Sequence, residues 1–137
     1  MRTGLTIVVA AYWLALFAAT HLPIAPVATE APGTDKWLHL TAYTGLAFLI
    51  AARQSCGRSL TWKTTCGIVA AVALYGIMDE LTQIPVGRDA EIGDWLADVT
   101  GSVVGVTVFT LIRAGLARRR SGPTGRLKAS QQANLED

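Results

Sequence analysis

Long apolar stretches separated by short polar turns are the main pattern along the chain. They are Leu5–Pro23, Trp37–Ala52, Thr65–Val86 and Gly93–Ala114. A membrane-spanning helix needs about 20 mostly apolar residues, with a range of about 17–25. Three stretches meet that length, and the second does so only when Asp35 and Lys36 extend it towards the headgroups. None alternates apolar and polar residues as a barrel strand does, so the pattern predicts an all-α polytopic membrane protein, a bundle of four transmembrane helices.

Composition and charge also favour a membrane protein. Hydrophobic residues make up 51% of the 137 residues, charged residues only 16%, and the mean hydropathy is positive. A soluble domain usually carries about 25% charged residues, and this length suits one domain. The formal net charge of +2 gives no reason to expect nucleic acid as a partner, which leaves the lipid bilayer.

The basic residues predict how the helices are oriented. With the N-terminus in the cytoplasm, only Lys36 and Arg88 fall outside. The cytoplasmic side then holds Arg2, Arg53, Arg58, Lys63, Arg113, Arg118, Arg119, Arg120, Arg126 and Lys128. Because basic residues in short loops tend to stay in the cytoplasm, this asymmetry predicts an N-in/C-in topology.

The two ends of the chain carry separate expectations. The first stretch could instead be a cleaved signal peptide, with Arg2 before it and small residues at 25–28 after it, although its apolar part exceeds the usual length of about 7–15 residues.

Residues 118–137 are polar and lack apolar periodicity. They predict a disordered, basic cytoplasmic tail that follows a transmembrane domain at 1–117.

Ten polar residues gather at the predicted outer ends of the last three helices and in the loop between them. They are Asp35, Lys36, His39, Tyr43, Asp79, Glu80, Gln83, Arg88, Asp94 and Asp98. Their spacing is helical: residues four apart, such as Asp35, His39 and Tyr43, share one face. A charged group at a membrane centre costs about 2.5–3.5 kcal/mol on insertion scales. These side chains are therefore expected to face one another, a bound cation or a water-filled cavity.

Small residues predict how closely the helices approach. Gly76 stands one turn before Glu80, and Gly101 and Gly105 follow in a Gly-xxx-Gly pattern on the fourth helix. Such patterns let helix backbones come close together, either inside the chain or in a homodimer. His21, beside the outer end of the first helix, is expected to be solvated.

Two stretches resemble the signatures of the VanZ-like membrane family. "DKWLHLTAYTGLAFL" is similar to the first, with Asp-Lys, a His three residues later, and then Tyr and Leu. "DELTQIPVGRDAEIGDWLADVTGSVVG" is similar to the second, with an acid and Gln, a Gly-Arg turn, an Asp and the Gly-xxx-Gly helix. Together they cover about a third of the chain, and the four-helix layout extends the likeness to nearly all of it except the tail.

The resemblance implies which residues matter and where the protein works. It singles out Asp35, Lys36, His39, Tyr43, Glu80, Gln83, Arg88, Asp94, Gly101 and Gly105. Asp98 stands where many members have Asn, and Thr82 where some have His. The family is named after a member that confers resistance to the glycopeptide teicoplanin. The resemblance therefore implies a multi-pass protein of the bacterial cytoplasmic membrane with a role in the cell envelope, which could extend to teicoplanin susceptibility.

Two kinds of function fit these residues. In the first, the protein binds an envelope lipid or lipid-linked precursor, with Lys36 and Arg88 on a phosphate and the acids on sugar hydroxyls or a bridging cation. In the second, it is an intramembrane enzyme that acts on a lipid-linked phosphate, with His39 as general base or metal ligand. Oxygen ligands would favour Mg²⁺ or Ca²⁺. A purely structural role and a proton-coupled transporter are the remaining interpretations.

Overall fold

Helices account for all the regular structure in the computed structural model, which describes residues 2–21, 33–56, 59–87 and 89–121. They are α1 (Arg2–His21), α2 (Thr34–Ser55), α3 (Trp62–Gln83) and α4 (Ile92–Ser121), with a 3₁₀ turn at Ile84–Val86. The expected all-α fold with four helices is confirmed. α4 continues into the predicted tail as far as Ser121. The rest of that tail and the small residues at 25–28 lie outside the described residues.

Three helical stretches are long and apolar enough to cross a membrane. They are Arg2–His21, Trp62–Val86 and Ile92–Arg119. α2 has 22 residues but is not among these stretches, and its first turns are polar and it ends in Arg-Gln-Ser. Large apolar side chains such as Leu14, Leu74 and Leu111 are exposed on the outer faces, as expected for helices that contact lipid.

Successive helices run antiparallel. At one end of the bundle, the hydroxyl of Thr20 on α1 donates to Asp79 on α3 at 3.1 Å. At the other end, Nε of Arg53 on α2 donates to the hydroxyl of Thr6 on α1 at 2.9 Å. α1 and α3 therefore end where α2 and α4 begin, and we call this end of the bundle the polar end.

Local signals set the helix boundaries. The Thr61 side chain caps α3 by accepting a hydrogen bond from the Thr64 N–H at 3.2 Å, which satisfies one of the donors left over at a helix start. Pro85 lies in the 3₁₀ turn after α3, where it cannot continue an α-helix. Gly33 before α2 and Gly87 after the turn have φ of 87° and 82°, a conformation that favours glycine.

α2 and α4 form the most extensive helix pair in the bundle. Gly101 lies against the backbone carbonyl of Leu40, and Gly105 lies against that of Thr44. A Cβ atom at either glycine would overlap the carbonyl oxygen that it faces. The Gly-xxx-Gly stripe is thus used inside the chain to bring α4 against α2, and it is not available for a dimer contact.

The apolar core lies next to the polar end, deeper inside the bundle. Tyr43, Ala47, Val72, Val106 and Phe109 are among its buried members. It spreads across all four helices, with Leu16 as the member from α1, and it holds their inward faces together, which fixes the height and rotation of the polar residues above it.

Candidate functional site

Buried polar side chains are concentrated at the polar end. They include His39, Asp79, Glu80, Asp94 and Asp98, each at most 6% exposed. At about 1.5 Å per residue, His39 lies about 8 Å from the start of α2 and Asp98 about 9 Å from the start of α4. The two side chains thus reach a similar depth below the polar end.

Three of these residues form a cluster, which we call the inner triad: His39, Glu80 and Asp98. Nδ1 of His39 lies 2.9 Å from Oδ1 of Asp98. One ligand-type atom from each residue lies within 4.8 Å of the other two. Each member comes from a different helix, so the triad exists only when α2, α3 and α4 pack together.

Glycine makes room for the inner triad. A Cβ atom on Gly76 would lie 2.8 Å from Oδ2 of Asp98 and 3.3 Å from Cδ1 of Trp95. The indole N–H of Trp95 donates to the carbonyl of Ala73 at 3.0 Å, which ties α4 to α3 beside the site. Gly76 therefore acts as a positioning residue for Asp98.

The inner triad contains buried acceptors without donors. Oε2 of Glu80 accepts the backbone N–H of Glu91 at 2.8 Å, but Oε1 has no partner among the described residues. Oδ2 of Asp98 has none there either, although Asp98 is 0% exposed. A buried polar group without a partner costs about 1–3 kcal/mol. Two such oxygens in one cluster are unusual for a site whose only task is to hold helices together.

Tyr43 closes the inner triad on its core side. Its ring lies roughly parallel to that of His39, with the centroids 6.1 Å apart, and to that of Tyr75, at 5.9 Å. Tyr43 is fully buried, and its hydroxyl lies near the Asp79 carboxylate without making a well-aligned hydrogen bond to any described residue. This hydroxyl is a further polar group, on the same helix face as His39, that a ligand could use.

A second group, the mouth cluster, surrounds the ammonium of Lys36 above the triad. Nζ of Lys36 lies 2.9 Å from Glu91 Oε2 and 3.4 Å from both Asp35 Oδ2 and Asp94 Oδ1. Asp94 Oδ1 has no aligned hydrogen bond, but the nearby ammonium compensates its charge. The mouth cluster is therefore an internally paired and partly exposed group.

Asp79 belongs to a third group, the Asp79 network, which joins α1 to α3. Its carboxylate accepts hydrogen bonds from Thr20 at 3.1 Å, Tyr75 at 3.3 Å and Gln83 at 3.1 Å. Both oxygens are thus satisfied by protein donors. The sequence pattern grouped Asp79 and Gln83 with Glu80, whereas the structure places them in a helix contact beside the triad.

His21 corrects the expectation of a solvated side chain. Only 13% of its side chain is exposed, Nε2 lies 2.9 Å from the hydroxyl of Thr82, and Nδ1 lies 3.9 Å from Oδ1 of Asp79. The sequence places His21 near the end of the first helix, but it does not show that α3 ends beside it. The ring therefore supports the contact between α1 and α3.

The structure bears differently on two residues of the outer loop, Arg88 and Glu91. Arg88, expected to bind phosphate, lies outside the described residues. Glu91, which the sequence pattern did not single out, links the groups, since its N–H holds Glu80 and its carboxylate binds Lys36. Its position one residue before α4 is a typical place for an acid, and this was the available signal.

The donor atoms of the inner triad allow two kinds of chemistry. When the Nδ1–H of His39 donates to Asp98, Nε2 is left as a base or ligand, as in other His–carboxylate pairs. An imidazole with two carboxylates also forms a donor set for a divalent cation. The second use would also employ the two oxygens that have no donor among the described residues.

Comparison with known proteins finds no matching family model, no matching curated protein and no matching solved structure. Function therefore has to be argued from the chemistry of the site itself.

Proposed function

We propose that the protein is a VanZ-like integral membrane protein of the bacterial cell envelope, which binds the headgroup of an envelope lipid or lipid-linked precursor at its polar end. In this proposal α2 joins the three strongly apolar helices in crossing the cytoplasmic membrane, and both termini are cytoplasmic. The basic residues support this orientation, because Arg53, Arg113 and Arg118 belong to the far ends of their helices. The polar end would then face outwards.

The observation that carries the proposal is the pair of buried acceptors in the inner triad. Oε1 of Glu80 and Oδ2 of Asp98 have no donor among the described residues, and a ligand with hydroxyl or amine donors would satisfy both. Lys36, above them, is already paired with three carboxylates, so the hydroxyl or amine groups of the headgroup, and not its phosphate, are the part expected to enter the site.

An intramembrane enzyme is the second candidate, favoured by the 2.9 Å contact between His39 and Asp98. A carboxylate on Nδ1 orients the imidazole and leaves Nε2 as a general base. A lipid-linked phosphate would be the substrate class. A purely structural role is supported by the Asp79 network, in which every carboxylate oxygen has a donor, but that account leaves the inner triad unexplained.

The test is the lipid content of the purified protein. Wild type, Glu80→Gln and Asp79→Asn would be extracted from bacterial membranes in mild detergent and examined by native mass spectrometry. We expect a lipid or lipid-linked species on wild type, at least a tenfold loss in Glu80→Gln, and retention in the matched control Asp79→Asn. Equal retention in all three would overturn the proposed site, and conversion of a bound lipid-linked phosphate by wild type alone would favour the enzyme.

A further inference from the structure

We infer that the inner triad is a divalent-metal site, in which His39, Glu80 and Asp98 hold a transition-metal ion such as Zn²⁺ or Mn²⁺. Metal binding is independent of the proposed lipid ligand. Only the role of the metal, as a bridge between an acidic pocket and an anionic headgroup, rests on the proposed function.

The geometry of the triad fits a single ion. The three ligand-type atoms lie within 4.8 Å of one another. Metal–ligand distances are about 2.0–2.2 Å, so donors around one ion lie up to about 4.4 Å apart. The observed spacing is close to that span, so small side-chain movements would bring all three atoms into coordination.

The charge of the triad calls for a cation. Glu80 and Asp98 are two buried carboxylates, and the only nearby group inside the triad that can carry positive charge is one imidazole. Buried charges are costly unless they are paired or coordinate a metal. A divalent ion would neutralise both carboxylates. It would take the place of a ligand's hydroxyl or amine donors as the partner of Oε1 of Glu80 and Oδ2 of Asp98, the two oxygens that lack one among the described residues.

The mouth cluster has a positively charged partner for its carboxylates, which the inner triad lacks. Its three carboxylates, from Asp35, Glu91 and Asp94, also lie within 4.8 Å of one another. However, the ammonium of Lys36 stands 2.9–3.4 Å from each of them and supplies the positive charge. No metal is needed there, and the comparison assigns the metal to the buried cluster.

The donor set favours a transition metal. Imidazole nitrogen suits Zn²⁺ and Fe²⁺, and carboxylates suit Mn²⁺ and Mg²⁺, so a mixed set selects Zn²⁺ or Mn²⁺ over Ca²⁺. Three protein ligands also leave positions open for water or a ligand, as in catalytic rather than structural zinc sites. The N–H of Glu91 on Oε2 of Glu80 holds one ligand in place, as outer-shell hydrogen bonds do.

The experiment measures metal binding by the full chain in detergent, purified with a tag that contains no histidine. After the protein is treated with a chelator, Zn²⁺ alone is titrated in competition with a chromophoric chelator, and Mn²⁺ is titrated by electron paramagnetic resonance. We expect one ion per chain for wild type. Glu80→Gln and Asp98→Asn should weaken binding by at least about 100-fold, because each removes a ligand charge while its shape is kept.

Asp79→Asn is the matched control, because it changes a neighbouring carboxylate that is equally buried but already satisfied. It should bind metal within about threefold of wild type. Circular dichroism on every variant checks that the helices are retained. If a variant does not fold, metal binding by the wild type alone decides whether the chain holds an ion. Absence of stoichiometric binding by wild type overturns the inference, as does binding that the triad substitutions leave intact. Lipid retained by a protein that binds no metal would overturn this inference and leave the proposed function standing.

Discussion

His39 and Asp98 meet across the α2–α4 interface, with Nδ1 of one 2.9 Å from Oδ1 of the other. Their contact depends on the glycines that follow Asp98 along α4. Gly101 lies against the carbonyl of Leu40, the residue directly after His39. The close approach of two backbones thus places a buried acid beside a buried imidazole, so that packing and site chemistry are parts of one arrangement.

The first prediction concerns this close approach. Gly101→Leu and Gly105→Leu each place a side chain against a backbone carbonyl that cannot move aside, and overpacking of this kind costs about 1–3 kcal/mol or more. Both variants should give a lower yield of folded protein, measured by size-exclusion chromatography in detergent. Gly115→Leu is the control, since nothing lies within 4 Å of that position on the same helix. Equal yields for all three variants would show that the stripe does not face α2.

A smaller substitution should separate the site from the fold. In Gly76→Ala the new Cβ would stand 2.8 Å from Oδ2 of Asp98, and a side-chain end can move away. We expect folding close to wild type but metal affinity reduced by about tenfold or more, as when a supporting neighbour of a ligand is changed. Gly67→Ala, with open space around it on the same helix, should leave both properties unchanged. Unchanged affinity in Gly76→Ala would show that Gly76 does not position Asp98 for the metal.

The architecture was more predictable from the sequence than the division of the polar residues. Apolar length and glycine spacing indicated the four helices and the packed face of α4, because both depend on local pattern. Asp79 and Glu80 are adjacent and therefore about 100° apart around α3. Asp79 turns to Thr20 on α1, whereas Glu80 turns to α2 and α4. Which neighbour each acid meets is set by tertiary packing, and the sequence contains no local signal for it.

Topology can be tested directly by reporter fusions. If the polar end faces outwards, fusions after Arg58 and after Lys128 should be cytoplasmic, and fusions near Thr34 and Asp89 should be external. The reason is the excess of basic residues at the opposite end. The measurement is the activity of paired reporters, one active only inside the cell and one only outside. An external signal after Lys128 would remove the outward-facing site from the proposal.

The Asp79 network should contribute to stability without contributing to ligand binding. Gln83→Leu removes the hydrogen-bond donor to Oδ2 of Asp79 and leaves a buried acceptor unsatisfied, at a cost of about 1–3 kcal/mol. The unfolding temperature in detergent should fall, while metal binding should stay within about threefold of wild type. Gln54→Leu, at an exposed position of α2, is the control and should change neither. If Gln83→Leu keeps its fold but loses metal binding, the Asp79 network and the inner triad act together as one site.

The last prediction concerns function in the cell and compares the two adjacent acids of α3. Glu80→Gln keeps the shape of the side chain and its bond to the Glu91 N–H, but removes the charge that the triad uses. Asp79→Asn removes a charge that already has protein donors. At equal expression, Glu80→Gln should abolish the envelope phenotype of the wild type, scored as teicoplanin susceptibility and lipid-precursor content in a bacterial host, and Asp79→Asn should be milder. If Asp79→Asn is the more damaging change and Glu80→Gln is silent, the contact between α1 and α3 is what matters, and the inner triad only locks helices together.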